Sequence, residues 1–504
     1  MIYLATNGKS DASLTRDWFV PCYESPRRVP LGGDAATQTL SGLIALAHVP
    51  GARTGAVVGH GSGITSHHLL ASPRLLRLTT IEIEPEMIAG SRVFYPYNRR
   101  VFDDPRSELI IDDAKSYFAS QQQTYDLILS EPYNPWVSGV SGLFTTEFYA
   151  RIRRYLSDEG VFAQWLHLYE LDDELAFRVL SAIHQNFPSY EIFLTTGTDM
   201  LIIAGNRPRL RKPDWSVFSL PGIQQDLCRF VPMTPAALEA TRLAGRGLLA
   251  PLLDSMVPPN SDFHPALDVG AERRRFLGRN AAGLQGLATD RFSIAGLLEG
   301  RRLGLPDDPR LPTVSIPRLV ANSVAAQVRA DRAGTQVDQS QGAEAAQAIF
   351  RWRLWREALS ASAPPSSWRA WLDMFTEMEG LLSGGAQGVA DEEFYRAARR
   401  YLERHHAPPP VHDAVAFYHG LAAWDFQETA QAAGRLLPQF RRRRYWITPD
   451  ELRDGAVIAN LKLNDVPRAR RLFRLLARIS ERPADALQSR LIEMHLRRAG
   501  TGPD

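Results

Sequence analysis

VVGHGSGIT, Val57–Thr65, is the stretch whose reading decides the fold. A short β-branched strand runs straight into Gly59-x-Gly61-x-Gly63, and an apolar, helix-like stretch follows. Glycines suit such a junction because the backbone must turn tightly and admit a ligand where a Cβ would stand in the way. Alone, the motif also fits a plain strand-to-helix turn. Working outward, further strand-like runs occur at Leu78–Ile83, Leu109–Asp112, Asp126–Ser130, Gly160–Leu166, Tyr190–Thr195 and Met200–Ala204. The first run itself spans Ala56–Gly59, and amphipathic stretches such as Phe144–Leu156 and Leu171–Phe187 alternate with the strands. Alternating strands and helices predict a parallel sheet covered on both faces. Only Thr196–Asp199 separates the last two runs, too little for a helical crossover, so they are expected to pair antiparallel. The α/β class follows, as a seven-stranded class I S-adenosylmethionine-methyltransferase-like Rossmann domain.

This domain is expected over 51–213, after a small β-rich lead-in over 1–50 with turn signals at Asn7-Gly8 and Gly32-Gly33. Residues 214–300, with an NSDFHP turn at Asn260–Pro265, read as an extension of it. Residues 315–504 are rich in Ala, Leu and Arg and read as an all-α domain with its own core, broken at Pro364-Pro365, Gly384-Gly385 and Pro408–Pro410. Asp425 and Asp465 occupy matching turns, with Leu436 and Leu476 one helix further on. That spacing fits either a tetratricopeptide-like array or a plain bundle.

The 504 residues are 44% hydrophobic and 23% charged, which excludes a disordered or fibrous chain. Two cysteines, Cys22 and Cys228, provide neither a disulfide framework nor a cysteine metal cluster. No run is long and apolar enough to span a bilayer and no signal peptide is visible, so a cytoplasmic location is expected. A formal charge of +2 argues against a chain-wide nucleic-acid footprint, and the run Arg441–Arg444 reads as a solvated basic patch.

Three strand ends form a candidate nucleoside edge. Glu82 ends the second strand, 19 residues beyond Gly63, where a carboxylate can accept both ribose hydroxyls. The third strand ends in Asp112–Ala114, placing Asp113 beside the small Ala114, where an adenine amino group can be held. The cofactor-binding set is therefore Gly59, Gly61, Ser62, Gly63, Glu82, Asp113 and Ala114. The absence of a phosphate-cradling lysine favours an S-adenosyl sulfonium compound over a dinucleotide or nucleotide triphosphate. The fourth strand delivers SEPYNPW, with Glu131 where the chain leaves the sheet. Tyr133, Asn134 and Trp136 surround it in sequence, and Trp165, His167 and Tyr169 follow the fifth strand. A carboxylate walled by aromatic rings suits a cationic amine. Simple packing under a loop fits the same aromatics, and His167 could equally serve a backbone carbonyl.

From Asn7 to Gly205 the chain resembles the spermidine synthase family of aminopropyltransferases, above all its bacterial spermidine-synthase-like domains, which are often fused to membrane segments. The resemblance rests on the NGK start (Asn7–Lys9), the glycine loop, Glu82, Glu131–Trp136 and LFTTEFY, Leu143–Tyr149. It implies that Glu131 stands in the proton-accepting catalytic position, with Gln38, Tyr133, Asn134 and Trp136 on the acceptor side. It also implies decarboxylated S-adenosylmethionine as donor, a small-molecule amine as acceptor, no metal, and assembly into homo-oligomers. Several acceptor-side positions depart from the family. Ser62 replaces the loop aspartate, Glu131 and Asn134 replace the two aspartates of the fourth-strand loop, and Gln38 replaces a tyrosine in DAATQ, Asp34–Gln38.

Aminopropyl transfer to an amine is the leading expectation. A methyltransferase or aminocarboxypropyl transferase using S-adenosylmethionine itself is the second, favoured by the loss of negative charge at Ser62. A non-catalytic nucleoside-binding scaffold is the third, with the C-terminal helices recruiting a protein partner.

Overall fold

The computed structural model describes residues 33–137, 139–227, 235–289, 293–302, 316–335, 343–383, 390–441, 445–483 and 485–500. The NGK start, most of the lead-in, both cysteines, Gly384-Gly385 and Arg442–Arg444 lie outside them.

One sheet organises the N-terminal half. Its strands are β1 (Thr54–Val58), β2 (Arg77–Glu82), β3 (Ser107–Ile111), β4 (Tyr125–Ser130), β5 (Leu156–His167), β6 (Ser189–Leu194), β7 (Asp199–Gly205) and β8 (Arg242–Gly245). Their order is β3-β2-β1-β4-β5-β7-β6-β8. The first five are mutually parallel, and β7 runs antiparallel between β5 and β6. This is the expected class I methyltransferase arrangement, with one correction: among the described residues the sheet has eight strands, not seven. The extra strand, β8, pairs antiparallel with β6. Four residues reading RLAG carry little β propensity. The edge forms because buried Arg242 reaches Glu191 on β6 and Glu299 on a later helix.

A second correction concerns the lead-in. Its described part is a helix, α1 (Gly33–His48), not β structure. Leu40, Leu43, Ile44 and Ala47 recur at helical spacing and are fully buried against the sheet. The crossover helices are α2 (Ile64–Leu69), α3 (Pro85–Ser91), α4 (Arg99–Asp103), α5 (Ala114–Ser120), α6 (Thr146–Ile152) and α7 (Asp173–Asn186). The expected long helix over Phe144–Leu156 is shorter than its pattern, because 3₁₀ turns flank α6 and β5 already begins at Leu156.

Residues 214–300 add α8 (Pro221–Leu227), α9 (Pro235–Ala240), α10 (Arg246–Met256), α11 (Ala266–Phe276), α12 (Ala282–Thr289) and α13 (Ile294–Glu299). The NSDFHP turn is a structural clamp. Fully buried Asn260 donates to the Phe144 carbonyl and accepts from the Leu267 amide, while its backbone bonds Thr146 and Arg178. Each of those buried polar groups is thereby satisfied, which holds α6, α7 and α11 together.

The rest is helical: α14 (Pro317–Arg332), α15 (Ala343–Ser360), α16 (Trp368–Ser383), α17 (Glu392–Arg404), α18 (Pro409–Ala423), α19 (Phe426–Arg441), α20 (Pro449–Lys462), α21 (Val466–Leu476) and α22 (Leu487–Arg498). Two helical hairpins repeat the same turn. Trp424 and Asn464 take left-handed φ of 62° and 60°, and the following Asp425 and Asp465 accept the amides of Glu428 and Arg468. The helical region does not stand apart. His495 on α22 bonds the Leu248 carbonyl of α10, and Arg318 on α14 donates to the carbonyls of Arg242 and Leu287. No described helix is long and apolar enough to cross a membrane.

Candidate functional site

The sheet's switch point lies between β1 and β4, whose neighbours β2 and β5 are reached by crossovers on opposite sides. Ligands of open α/β sheets bind outside the carboxyl ends at such a point. There Gly59 leaves β1 with φ 93°, and a Cβ on it would stand 2.3 Å from the Glu131 carbonyl oxygen. Only glycine allows the ends of β1 and β4 to approach this closely. Gly61 and Gly63 also hold positive φ, and Gly63 precedes α2 directly.

Glu82 ends β2 and is 4% exposed. One of its oxygens accepts the His60 amide at 2.8 Å and the other the Glu84 amide at 3.0 Å. It therefore ties the glycine loop to the next turn, and each carboxylate oxygen has a second lone pair to offer a ligand. The Asp112 amide bonds the Glu82 carbonyl, bringing the β3 end alongside. Asp113 caps α5 by accepting from Ser116 at 2.8 Å, and Ala114 is buried behind it. The predicted nucleoside residues thus share one edge.

Across β4 lies an acidic pocket. Glu131 accepts a 2.6 Å hydrogen bond from Thr65 on α2. Burial, opposed by that bond and reinforced by the charges of Asp199 and Asp34, raises its pKa from 4.5 to about 7. Asp34 starts α1, and burial together with Asp199 lifts it to about 6. Asp199 opens β7, is 8% exposed, and accepts from Thr196 (2.6 Å), Trp165 Nε1 (3.2 Å) and Thr37 (3.3 Å). Burial raises its pKa also. Predicted residue Gln38 accepts from Ser62 at 2.5 Å, joining α1 to the glycine loop. Three carboxylates within electrostatic reach disfavour simultaneous ionisation, so an incoming cation is attracted and a proton is retained near neutrality.

The aromatic residues divide between the two sides. Tyr133 reaches Met87 Sδ at 3.7 Å, and burial with the charges of Glu82 and Glu84 raises its pKa, which places it on the Glu82 side. Trp136 packs edge-on to His167 at 5.0 Å, and the Arg275 guanidinium of α11 covers it at 4.9 Å. Asn134 accepts the Val137 amide through its backbone within the same loop. Trp165 and Tyr169 also pack against His167. Among the described residues His167 bonds no backbone carbonyl. Both ring nitrogens lack a hydrogen-bond partner among the described residues, and burial depresses its pKa to about 3, so it is neutral. Sequence reasoning left Asp199 and Thr65 out of the site and quoted Asp34 only as part of DAATQ. Asp199 carried one available signal, an acid set between threonines at a strand start.

Comparison with known proteins covers the glycine loop, Glu82 and Glu131, with Asp34 and Asp199 each one residue outside the matched segment. Residues 35–198 match the spermine/spermidine synthase domain family. A polyamine aminopropyltransferase of Desulforudis audaxviator (strain MP104C) is 32% identical over 139 residues, 28% of this chain and 50% of that protein. One from Moorella thermoacetica (strain ATCC 39073 / JCM 9320) is 29% identical over 156 residues, 30% of this chain and 55% of that protein. The chain thus spans about half the length of these curated relatives. A solved spermidine synthase in complex with the transition state analogue AdoDATO is 21% identical, covering 35% of this chain and 62% of that one, with a TM-score of 0.31.

Proposed function

We propose that the chain transfers an aminopropyl group from decarboxylated S-adenosylmethionine to a small-molecule amine. One observation carries the reading: Glu131 has a pKa of about 7 between Asp34 and Asp199, beside a nucleoside-type edge, within the segment that matches the synthase domain. A base titrating near neutrality suits deprotonation of an ammonium, since catalytic groups work best near the operating pH. Glu82, Asp113 and Ala114 bind the nucleoside, and Gly59, Gly61, Ser62 and Gly63 let the donor chain pass over the loop. Gln38, Tyr133, Asn134 and Trp136 shape the entry of the acceptor, with Asp34 and Asp199 attracting its positive charge. The amine nitrogen forms a bond to the carbon next to the sulfonium, the carbon–sulfur bond breaks, and methylthioadenosine leaves. The proton lost from nitrogen passes to Glu131. The sulfonium already departs readily, so alignment of the two reactants is the main contribution.

Purified full-length protein, incubated with each donor and a panel of amines, tests this by mass spectrometry. An aminopropylated amine with methylthioadenosine is expected from the decarboxylated donor. A methylated or aminocarboxypropylated product from S-adenosylmethionine would overturn the assignment. Absence of product and of calorimetric binding with both donors would leave a scaffold role instead.

A further inference from the structure

The second hairpin of the C-terminal region presents an unusual surface. Helix α21 reads VPRARRLFRLL, with four arginines and no acid. Its apolar side turns inward, with Ala469 and Leu476 fully buried. Arg468, Arg471 and Arg474 follow one another at i, i+3 spacing, and Arg470 stands four residues before Arg474. All four are exposed. Between α21 and the end of α22 lies an open groove of about 480 Å³, lined by Val466, Pro467, Arg470, Arg471, Arg474, Ala499 and Gly500. Arg470 is fixed at its edge by donating to the Leu496 carbonyl at 3.2 Å, and its guanidinium lies against Gly500, where a side chain would displace it.

Several arginines elsewhere in these helices find carboxylates. Arg435 meets Asp413, Arg453 and Arg482 share Asp454, and Arg497 meets Glu493. No ion pair joins Arg468, Arg470, Arg471 or Arg474 to a carboxylate among the described residues. Like charges at i, i+3 and i, i+4 destabilise a helix unless something external neutralises them. The chain's formal charge is only +2, so this concentration of charge is local.

We propose that the arginine face of α21, with the end of α22, is a docking groove for an acidic segment of a partner polypeptide. The planar guanidinium fork matches a carboxylate in two parallel hydrogen bonds. From Arg468 to Arg474 the helix advances about 9 Å, the length of about three residues of extended chain. Val466, Pro467 and Ala499 give the groove apolar floor for the backbone and stems of such a segment. Single-stranded nucleic acid is disfavoured, because its sites pair positive charge with exposed stacking rings, and no aromatic residue lines this groove. The proposal is independent of the transfer chemistry.

The test uses the full chain and fluorescein-labelled hexaglutamate, read by anisotropy at low salt. Saturable binding is expected, weakened about tenfold or more by Arg471→Glu with Arg474→Glu. A control reversing two exposed arginines on other helices, Arg356→Glu with Arg396→Glu, should leave it within about twofold. If the first pair fails to fold by circular dichroism, Arg471→Gln with Arg474→Gln is read in the same way. No saturable binding, or an equal loss in the control, overturns the proposal. So does tighter binding, through Arg471 and Arg474, of oligodeoxythymidylate of equal charge or of phosphatidylserine vesicles.

Discussion

Replacing Glu131 by glutamine should stabilise the protein at alkaline pH while disabling it. The native carboxyl titrates near 7, against 4.5 when unfolded, because burial and the two neighbouring acids oppose its charge. Between those values the native state holds a proton that the unfolded state has released. This contribution to stability is complete below about pH 4.5 and is lost as the pH rises through about 7. At about 1.4 kcal/mol per pH unit the full loss is about 3.5 kcal/mol, of which about 2–3 falls between pH 5 and 8. Glutamine mimics the protonated acid and keeps an oxygen to accept from Thr65, so at pH 5 the two proteins should unfold at nearly the same denaturant concentration. At pH 8 the variant should be more stable by about 2 kcal/mol. Urea unfolding of both proteins at each pH measures the difference, and subtraction cancels the titrations they share. Turnover with an amine acceptor should fall about 10²–10⁴-fold, the range for loss of a general base. An equal stability difference at both pH values would mean that Glu131 is already ionised at pH 5. The reasoning from burial to base strength would then fail, whatever the activity.

Thr65→Val removes the hydroxyl that stabilises the Glu131 anion, so the acid limb of the kcat profile should move to higher pH by about one unit, as expected for a hydrogen bond to a charged group. Asp199→Asn deletes a repelling charge, so the same limb should move to lower pH while the acceptor KM rises; an unmoved limb would separate Asp199 from the pocket. Glu82→Ala removes the acceptor assigned to the ribose and should weaken methylthioadenosine binding at least about tenfold by calorimetry. Unchanged affinity would mean that the nucleoside does not lie at the ends of β1–β3.

Much of the fold was legible because its decisive signals are local. Six of the seven anticipated strands are largely buried, the exception being the partly exposed edge strand β3, and the short link before Asp199 dictated the antiparallel pair β6–β7. What escaped is held by distant partners. The edge strand β8 depends on Arg242 meeting Glu191 and Glu299, an arrangement with no local signature. The helix α1 does have one, in Leu40, Leu43, Ile44 and Ala47. Reading Gly32-Gly33 as a turn signal within a β-rich lead-in obscured it. The turn at Asn260 was visible as a motif, yet its role in tying α6 to α7 and α11 comes only from tertiary hydrogen bonds.

The site divides along the same line. The edge proposed for the donor comes from three consecutive strand ends, Gly59, Glu82 and Asp113, each announced by a strand followed by a short polar or glycine signal. The acidic pocket is assembled from α1, the end of β4 and the start of β7, and the bond from Thr37 to Asp199 spans 162 residues. No window of sequence contains both partners. The departures at Gln38 and Ser62 also acquire a physical meaning. Their side chains bond each other, so the pocket's negative charge rests instead on Asp34, Glu131 and Asp199. Under the proposed transfer, substitutions at Asp34 or Asp199 should alter acceptor choice more than donor binding, read as the change in KM for each.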